Sequence, residues 1–148
     1  MKFAMPNASM TRNGTLLNTP SVSKRNWRRN CCHAVAAVNA GVTFGIIDTG
    51  GDASHPDLAA NFDAELSRNF TMDIPGIDGP CEVATCIDPA DVDQGGHGTH
   101  VAGIVAADDN GIGTSGVAPD ATIVNVRAGQ DSGYFFLYET VAALNLGG

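Results

Sequence analysis

The 148 residues are enough for one domain, and a chain that is 43% hydrophobic and 16% charged can bury a core, which excludes a disordered chain. Its formal net charge of −8 is unevenly divided: Lys2, Arg12, Lys24, Arg25, Arg28 and Arg29 all precede Asp48, the first of sixteen acids, and only Arg68 and Arg127 follow. The acid-rich part argues against nucleic acid as a partner, and the apolar run from Ala34 to Ile47, broken by Asn39, Gly41 and Gly45, is too short to cross a membrane.

Met1 to Asn30 is polar, basic and without a period of two or of 3.6, so no regular element is expected there. Lys2 gives a positive start, but a polar run from Asn7 to Pro20 stands where the apolar core of a secretory signal would be. Residues 1–33 therefore read as a leader, and residues 34–148 as the globular part. Within the leader, Lys24 to Arg29 reads as a solvated charge run. His33 to Asn39 suggests a short helix, broken by Ala40-Gly41. Val42 to Ile47 reads as a strand apolar on both faces, as in a parallel sheet covered on both sides. It runs into Asp48-Thr49-Gly50, a carboxylate at a strand's carboxyl end, where ligands and chemistry gather in α/β folds.

Ala59 to Asp93 is long, polar and rich in Asp, Pro and Gly, which reads as a surface insertion with a short strand at Phe70-Thr71-Met72. Cys81 and Cys86 lie between Gly79-Pro80 and Pro89; they either bridge in an oxidising compartment or stay as two loop thiols. Cys31 and Cys32 are adjacent, and nothing assigns them partners.

Gly95-Gly96-His97-Gly98-Thr99-His100-Val101-Ala102-Gly103 sets a histidine where a loop becomes a helix, expected from His97 to about Ala107 and stopped by Asp108-Asp109-Asn110-Gly111. The glycines let the backbone pass close to another segment without a Cβ clash. A histidine that moves protons needs a partner to fix its tautomer, and Asp48 is the obvious one. Gly116-Val117-Ala118-Pro119 turns into a second buried strand at Ala121 to Val126, and Phe135 to Leu146 has helix-like apolar spacing. Two strands joined through a helix make a βαβ unit, expected to be right-handed.

Four stretches, Ile46-Ile47-Asp48-Thr49-Gly50, His55-Pro56-Asp57-Leu58, His97-Gly98-Thr99-His100-Val101-Ala102-Gly103 and Gly116-Val117-Ala118-Pro119, resemble the subtilisin-like serine proteases in order and character. The resemblance implies a three-layer α/β fold with a mostly parallel sheet, of which this sequence matches the amino-terminal half. It implies a serine endopeptidase acting on protein or peptide substrates outside the cell, with Asp48 as orienting carboxylate and His97 as general base and acid. Asp131-Ser132-Gly133 falls on the edge that pairs with a substrate's extended backbone. Asp57 and Asn110 fall on ligands of a structural calcium ion; the competing reading of residues 108–111 is a helix-stop turn that needs no ion. One position departs from the pattern: Gly51 stands where the family carries an aliphatic residue, a side chain typically worth about 2–4 kcal/mol when buried, so loosened packing is expected there.

The family's serine stands in a Gly-Thr-Ser-Met-Ala-like motif, which these residues do not contain. Gly113-Thr114-Ser115-Gly116 comes too early and lacks the Met-Ala continuation, and Asn145 does not match the oxyanion asparagine. The resulting expectation is a fragment with two triad members, inactive alone, exposing sheet edges and apolar faces. Two alternatives belong to other classes: a non-catalytic zinc module built from His97, His100 and Asp48 or Asp93, and a decayed fragment without function.

Overall fold

The computed structural model describes residues 40–146. The expected boundary at residue 33, the helix at His33 to Asn39, and Cys31 and Cys32 lie outside the described residues. The elements are β1 (Thr43–Asp48), β2 (Arg68–Asn69), α1 (His97–Ala106), β3 (Thr122–Arg127) and α2 (Leu137–Leu144). All strand pairs are parallel, in the order β1-β3-β2, with β1 running in register from Thr43 beside Thr122 to Asp48 beside Arg127. Among the described residues no helix is long and apolar enough to cross a membrane.

Side chains alternate across the sheet, so successive residues of β3 serve opposite layers. Ile123, with Ile46 of β1, packs against Ala102 and Ala106 of α1 and against Leu58, Ala118 and Ala121. Val124 and Val126 face the other way, onto Ala143 of α2. The alanines on α1 carry no side chain beyond Cβ, which lets the helix sit close to the strands. Helices on both faces of a parallel sheet give the three-layer α/β arrangement expected from the sequence.

The expected two-sided burial holds for β3 but not for β1. Phe44, Ile46 and Asp48 face inward, while Thr43, Gly45 and Ile47 are exposed, Ile47 by 37%. The reason is the reach of α2, whose Ala143 covers Val124 and Val126 and leaves an open groove of about 480 Å³ along Thr43, Gly45 and Ile47. The outer side of α2 is also exposed, with Leu137 at 81% and Tyr138 at 83%.

The region from Ala59 to Asp93 differs from a plain surface insertion. Ser67, Thr71, Asp73 and Asp88 are buried. Its strand lies at Arg68–Asn69 rather than Phe70 to Met72, because Asn69 Oδ1 accepts from both the N–H and the hydroxyl of Thr71 and so turns the chain off the sheet. Cys81 and Cys86 form a disulfide, and Asp73 N–H bonds Cys86 O at its base. The acids point inward because Arg127, the end of β3, is fully buried and needs them. Its guanidinium bonds Asp88 at 2.8 Å and Asp131 at 2.9 Å, pairs with Asp73 at 3.5 Å, and reaches Gln94 Oε1 at 3.3 Å.

The loosened packing expected at Gly51 is absent. A Cβ there would stand 2.9 Å from the Phe62 ring and 3.3 Å from Asn125, so those side chains already fill the space of the missing aliphatic residue.

Candidate active site

Asp48 closes β1, and its backbone oxygen accepts from Ala128 and Gly129 N–H, which locks the strand end to the chain leaving β3. Its carboxylate Oδ1 accepts from Thr49 N–H at 2.8 Å and from His97 Nδ1 at 2.7 Å. A carboxylate only accepts, so the imidazole proton sits on Nδ1 and Nε2 is left as the basic nitrogen. The Asp48 side chain is 11% exposed and that of His97 66%, so a nearly dry acid holds a wet imidazole. The hydrogen bond from Asp48, its charge and the weaker charge of Asp93 raise the His97 pKa above its ordinary 6.5, against a small opposing effect of burial.

The helix start is held by Asp93, a residue the sequence reading offered only as a zinc ligand. Its Oδ1 accepts from Gly96 N–H and from the Thr49 hydroxyl, and its Oδ2 accepts from Thr99 N–H at 2.8 Å and from the Thr99 hydroxyl at 2.5 Å. Gly98 N–H in turn donates to Thr49 Oγ1. The N-cap residue, Gly96, brings no side chain, so Asp93 in the preceding loop satisfies the free Thr99 N–H, and the helix dipole favours an acid there. The signal was present in the sequence: an acid four residues before the histidine and six before a threonine.

His97 shares a cleft of about 450 Å³ with Thr49, Asp131, Ser132, Gly133 and Phe135. The His97 imidazole and the expected substrate edge therefore line one cleft. Among the described residues, no serine hydroxyl bonds Nε2; that of Ser132 donates to Asp78 at 2.8 Å. A larger cavity of about 640 Å³ lies on another side of α1, lined by His55, Asp57, Thr99, His100 and Ser115, and His97 is not part of it. The smaller cleft is thus the one that holds the imidazole bonded to Asp48.

The zinc alternative is not assembled. Among the described residues, the one group of three acids, histidines or cysteines with ligand atoms within 4.8 Å of one another is Asp73, Asp88 and Asp131, and it contains neither His97 nor His100. The Arg127 guanidinium already lies among those three acids.

Asp57 is buried, and its Oδ2 accepts from Thr114 N–H at 3.0 Å while its Oδ1 has no partner. The loop from Asn110 wraps it so closely that a Cβ on Gly113 would overlap the carboxylate. Asn110 donates its amide to Pro56 O at 3.1 Å and accepts Ile112 N–H on Oδ1. The loop that carries Asn110 thus packs against the segment that carries Asp57.

The sequence model of the subtilase family matches residues 39–145. The chain is 44% identical over 98 residues to an intracellular serine protease of Paenibacillus polymyxa, covering 64% of this chain and 26% of that one. It is 40% identical over 91 residues to an extracellular serine protease of Aeromonas sobria, covering 62% of this chain and 13% of that one. Among solved structures, sphericase superposes with a TM-score of 0.55 at 33% identity over 72% of this chain and 31% of its own. The chain thus spans about a quarter of the length of the first of these relatives. A family match over most of the chain, joined to an aspartate and a histidine in contact across the sheet and the helix, identifies this protein as a member of the subtilase family.

Proposed function

We propose that the chain carries the acid–base half of a serine endopeptidase centre that hydrolyses peptide bonds in protein substrates. The observation that supports this most is the 2.7 Å contact between Asp48 and His97 Nδ1. With Nδ1 held as donor, Nε2 takes the proton of an attacking hydroxyl and returns it to the leaving amine, and Asp48 stabilises the imidazolium formed between the two steps. Asp131, Ser132 and Gly133, across the same cleft, offer an edge for an extended peptide to pair with. The serine and the oxyanion donors belong, by family resemblance, to motifs that these 148 residues do not contain. The chain by itself therefore binds a peptide and does not cut it.

Asp57 and Asn110 are proposed to hold a calcium ion. The buried, unpartnered Asp57 Oδ1 suits a hard cation. Bound there, calcium neutralises the carboxylate and stiffens the loop after α1. Action outside the cell is part of the same proposal, supported by the Cys81–Cys86 disulfide, a bond that persists in oxidising compartments.

The test is twofold. A fluorophosphonate probe and a fluorescent protein substrate report on catalysis, and NMR of the full chain with a blocked apolar tetrapeptide reports on binding. The expected result is no labelling, no hydrolysis, and peptide-induced shifts at His97, Ser132 and Gly133. Labelling of a serine in this chain, or no shifts at those three residues, would overturn the reading.

A further inference from the structure

We propose that Asp78, in the insertion, is a positioning residue that latches the substrate-facing wall of the His97 cleft by holding Ser132. The inference rests on the peptide-binding reading above.

The wall is a tight turn at the exit of β3. Gln130 N–H bonds Tyr134 O and Gly133 N–H bonds Gln130 O, both at 2.8 Å, which closes the turn on itself but fixes nothing about its direction. Its direction is set by two acids. Asp131 is tied from beneath by Arg127 at 2.9 Å. Ser132, at the tip, gives both its N–H (3.2 Å) and its hydroxyl (2.8 Å) to Asp78 Oδ1, across 54 residues of sequence.

Asp78 is itself fixed. Its Oδ2 accepts from Ile74 N–H at 2.9 Å, and Ile77 and Asp78 N–H both bond Ile74 O, so the carboxylate closes its own turn from Ile74 to Asp78. That turn begins one residue after Asp73, which is tied to Cys86 O and paired with Arg127. The insertion thus reaches the cleft wall twice from one anchored base. Partial burial pushes the Asp78 carboxyl up, but the bonds from Ile74 and Ser132 and the charge of Arg127 bring it below its ordinary 3.8, as expected of a carboxylate bonded in its charged form.

Ser132 is exposed, so the latch contributes little to folding stability and acts mainly on geometry. A strand-pairing edge must present its backbone at a fixed angle, and a tip free to swing loses affinity through the entropy of ordering it. The residue acts on peptide through Ser132 and does not touch the chemistry at His97.

Asp78→Ala and Asp78→Asn in the full chain test this, with hydrogen exchange at Ser132, peptide affinity by NMR titration with the blocked tetrapeptide, thermal midpoint and His97 titration as readouts. For Asp78→Ala the expectation is Ser132 exchange about tenfold faster and a peptide Kd raised about 5–10-fold, with the His97 titration and the thermal midpoint unchanged. Asp78→Asn keeps one acceptor oxygen and returns both values to within about threefold of the parent chain. Unchanged Ser132 exchange in Asp78→Ala overturns the latch, as does a peptide Kd that stays the same or falls. If the parent chain binds no peptide, the functional reading fails, and Ser132 exchange alone then decides whether Asp78 holds the turn.

Discussion

Gly98 lies against the Gly50 carbonyl, with the Asp48 side chain 3.0 Å from where its Cβ would be, so the first turn of α1 and the end of β1 touch backbone to backbone. This contact brings an imidazole on the helix within hydrogen-bond reach of a carboxylate on the strand. The neighbouring Thr49 hydroxyl, which accepts from Gly98 N–H and donates to Asp93, makes the junction specific.

Gly98→Ala tests the junction. Alanine improves helix propensity by about 1 kcal/mol, but its methyl must displace the Gly50 backbone rather than a flexible side chain. Overpacking of that kind typically costs about 1–3 kcal/mol, so the expected result is a net loss of stability in urea denaturation, with the His97 pKa falling as its partner is pushed away.

Arg127 is the only cation among the described residues that is fully buried, and it faces three acids. Arg127→Leu removes the charge and leaves Asp73, Asp88 and Asp131 repelling one another, a loss of about 3–5 kcal/mol by analogy with other broken buried pairs. Arg127→Lys keeps the charge but not the fork, and is expected to fall between the two. Urea midpoints of the three chains check the order.

Asp73 reports on the same cluster through pH. Burial and the neighbouring Asp88 raise its pKa from 3.8 to about 6 despite the pull of Arg127, and its Oδ2 has no partner. A carboxyl whose folded pKa exceeds its unfolded value favours the fold while protonated, and loses that contribution as pH rises from about 4 through about 6. Asp73→Asn, which mimics the protonated form, is therefore expected to raise the thermal midpoint by a few degrees at pH 8 and to leave it nearly unchanged at pH 4. A stabilisation at pH 4 larger than that at pH 8 would contradict the assignment.

Calcium is expected to protect the loop that wraps Asp57. Adding it at millimolar concentration should raise the thermal midpoint of the chain, and Asp57→Asn should remove most of that rise. Equal protection of both chains by calcium would place the ion elsewhere.

Most of the fold was legible because its signals are local. The apolar run before Asp48, the glycine-flanked His97 and the helix stop at Asp108 each declare themselves within a few residues, and β1, α1 and β3 lie where those signals put them. What escaped depends on partners distant in sequence. That Asp73 and Asp88 turn inward follows from Arg127, which lies 39 residues beyond Asp88. The packing at Gly51 follows from Phe62 and Asn125 filling the space, which no motif at residue 51 announces. Asp48 and His97 were legible as a pair because their chemistry requires a partner, although they are 49 residues apart.

Titration of the His97 imidazole by NMR, in the parent chain and in Asp48→Asn, bears most directly on the acid–base pair. With its folded pKa above the ordinary 6.5, the pair stabilises the fold below that value and the contribution is lost as pH rises through the folded pKa. The expected result is a His97 pKa above 6.5 in the parent chain and a clear fall in Asp48→Asn. A His97 titration that is the same in both chains would mean that the carboxylate and the imidazole do not share a proton, and the acid–base pair would fall.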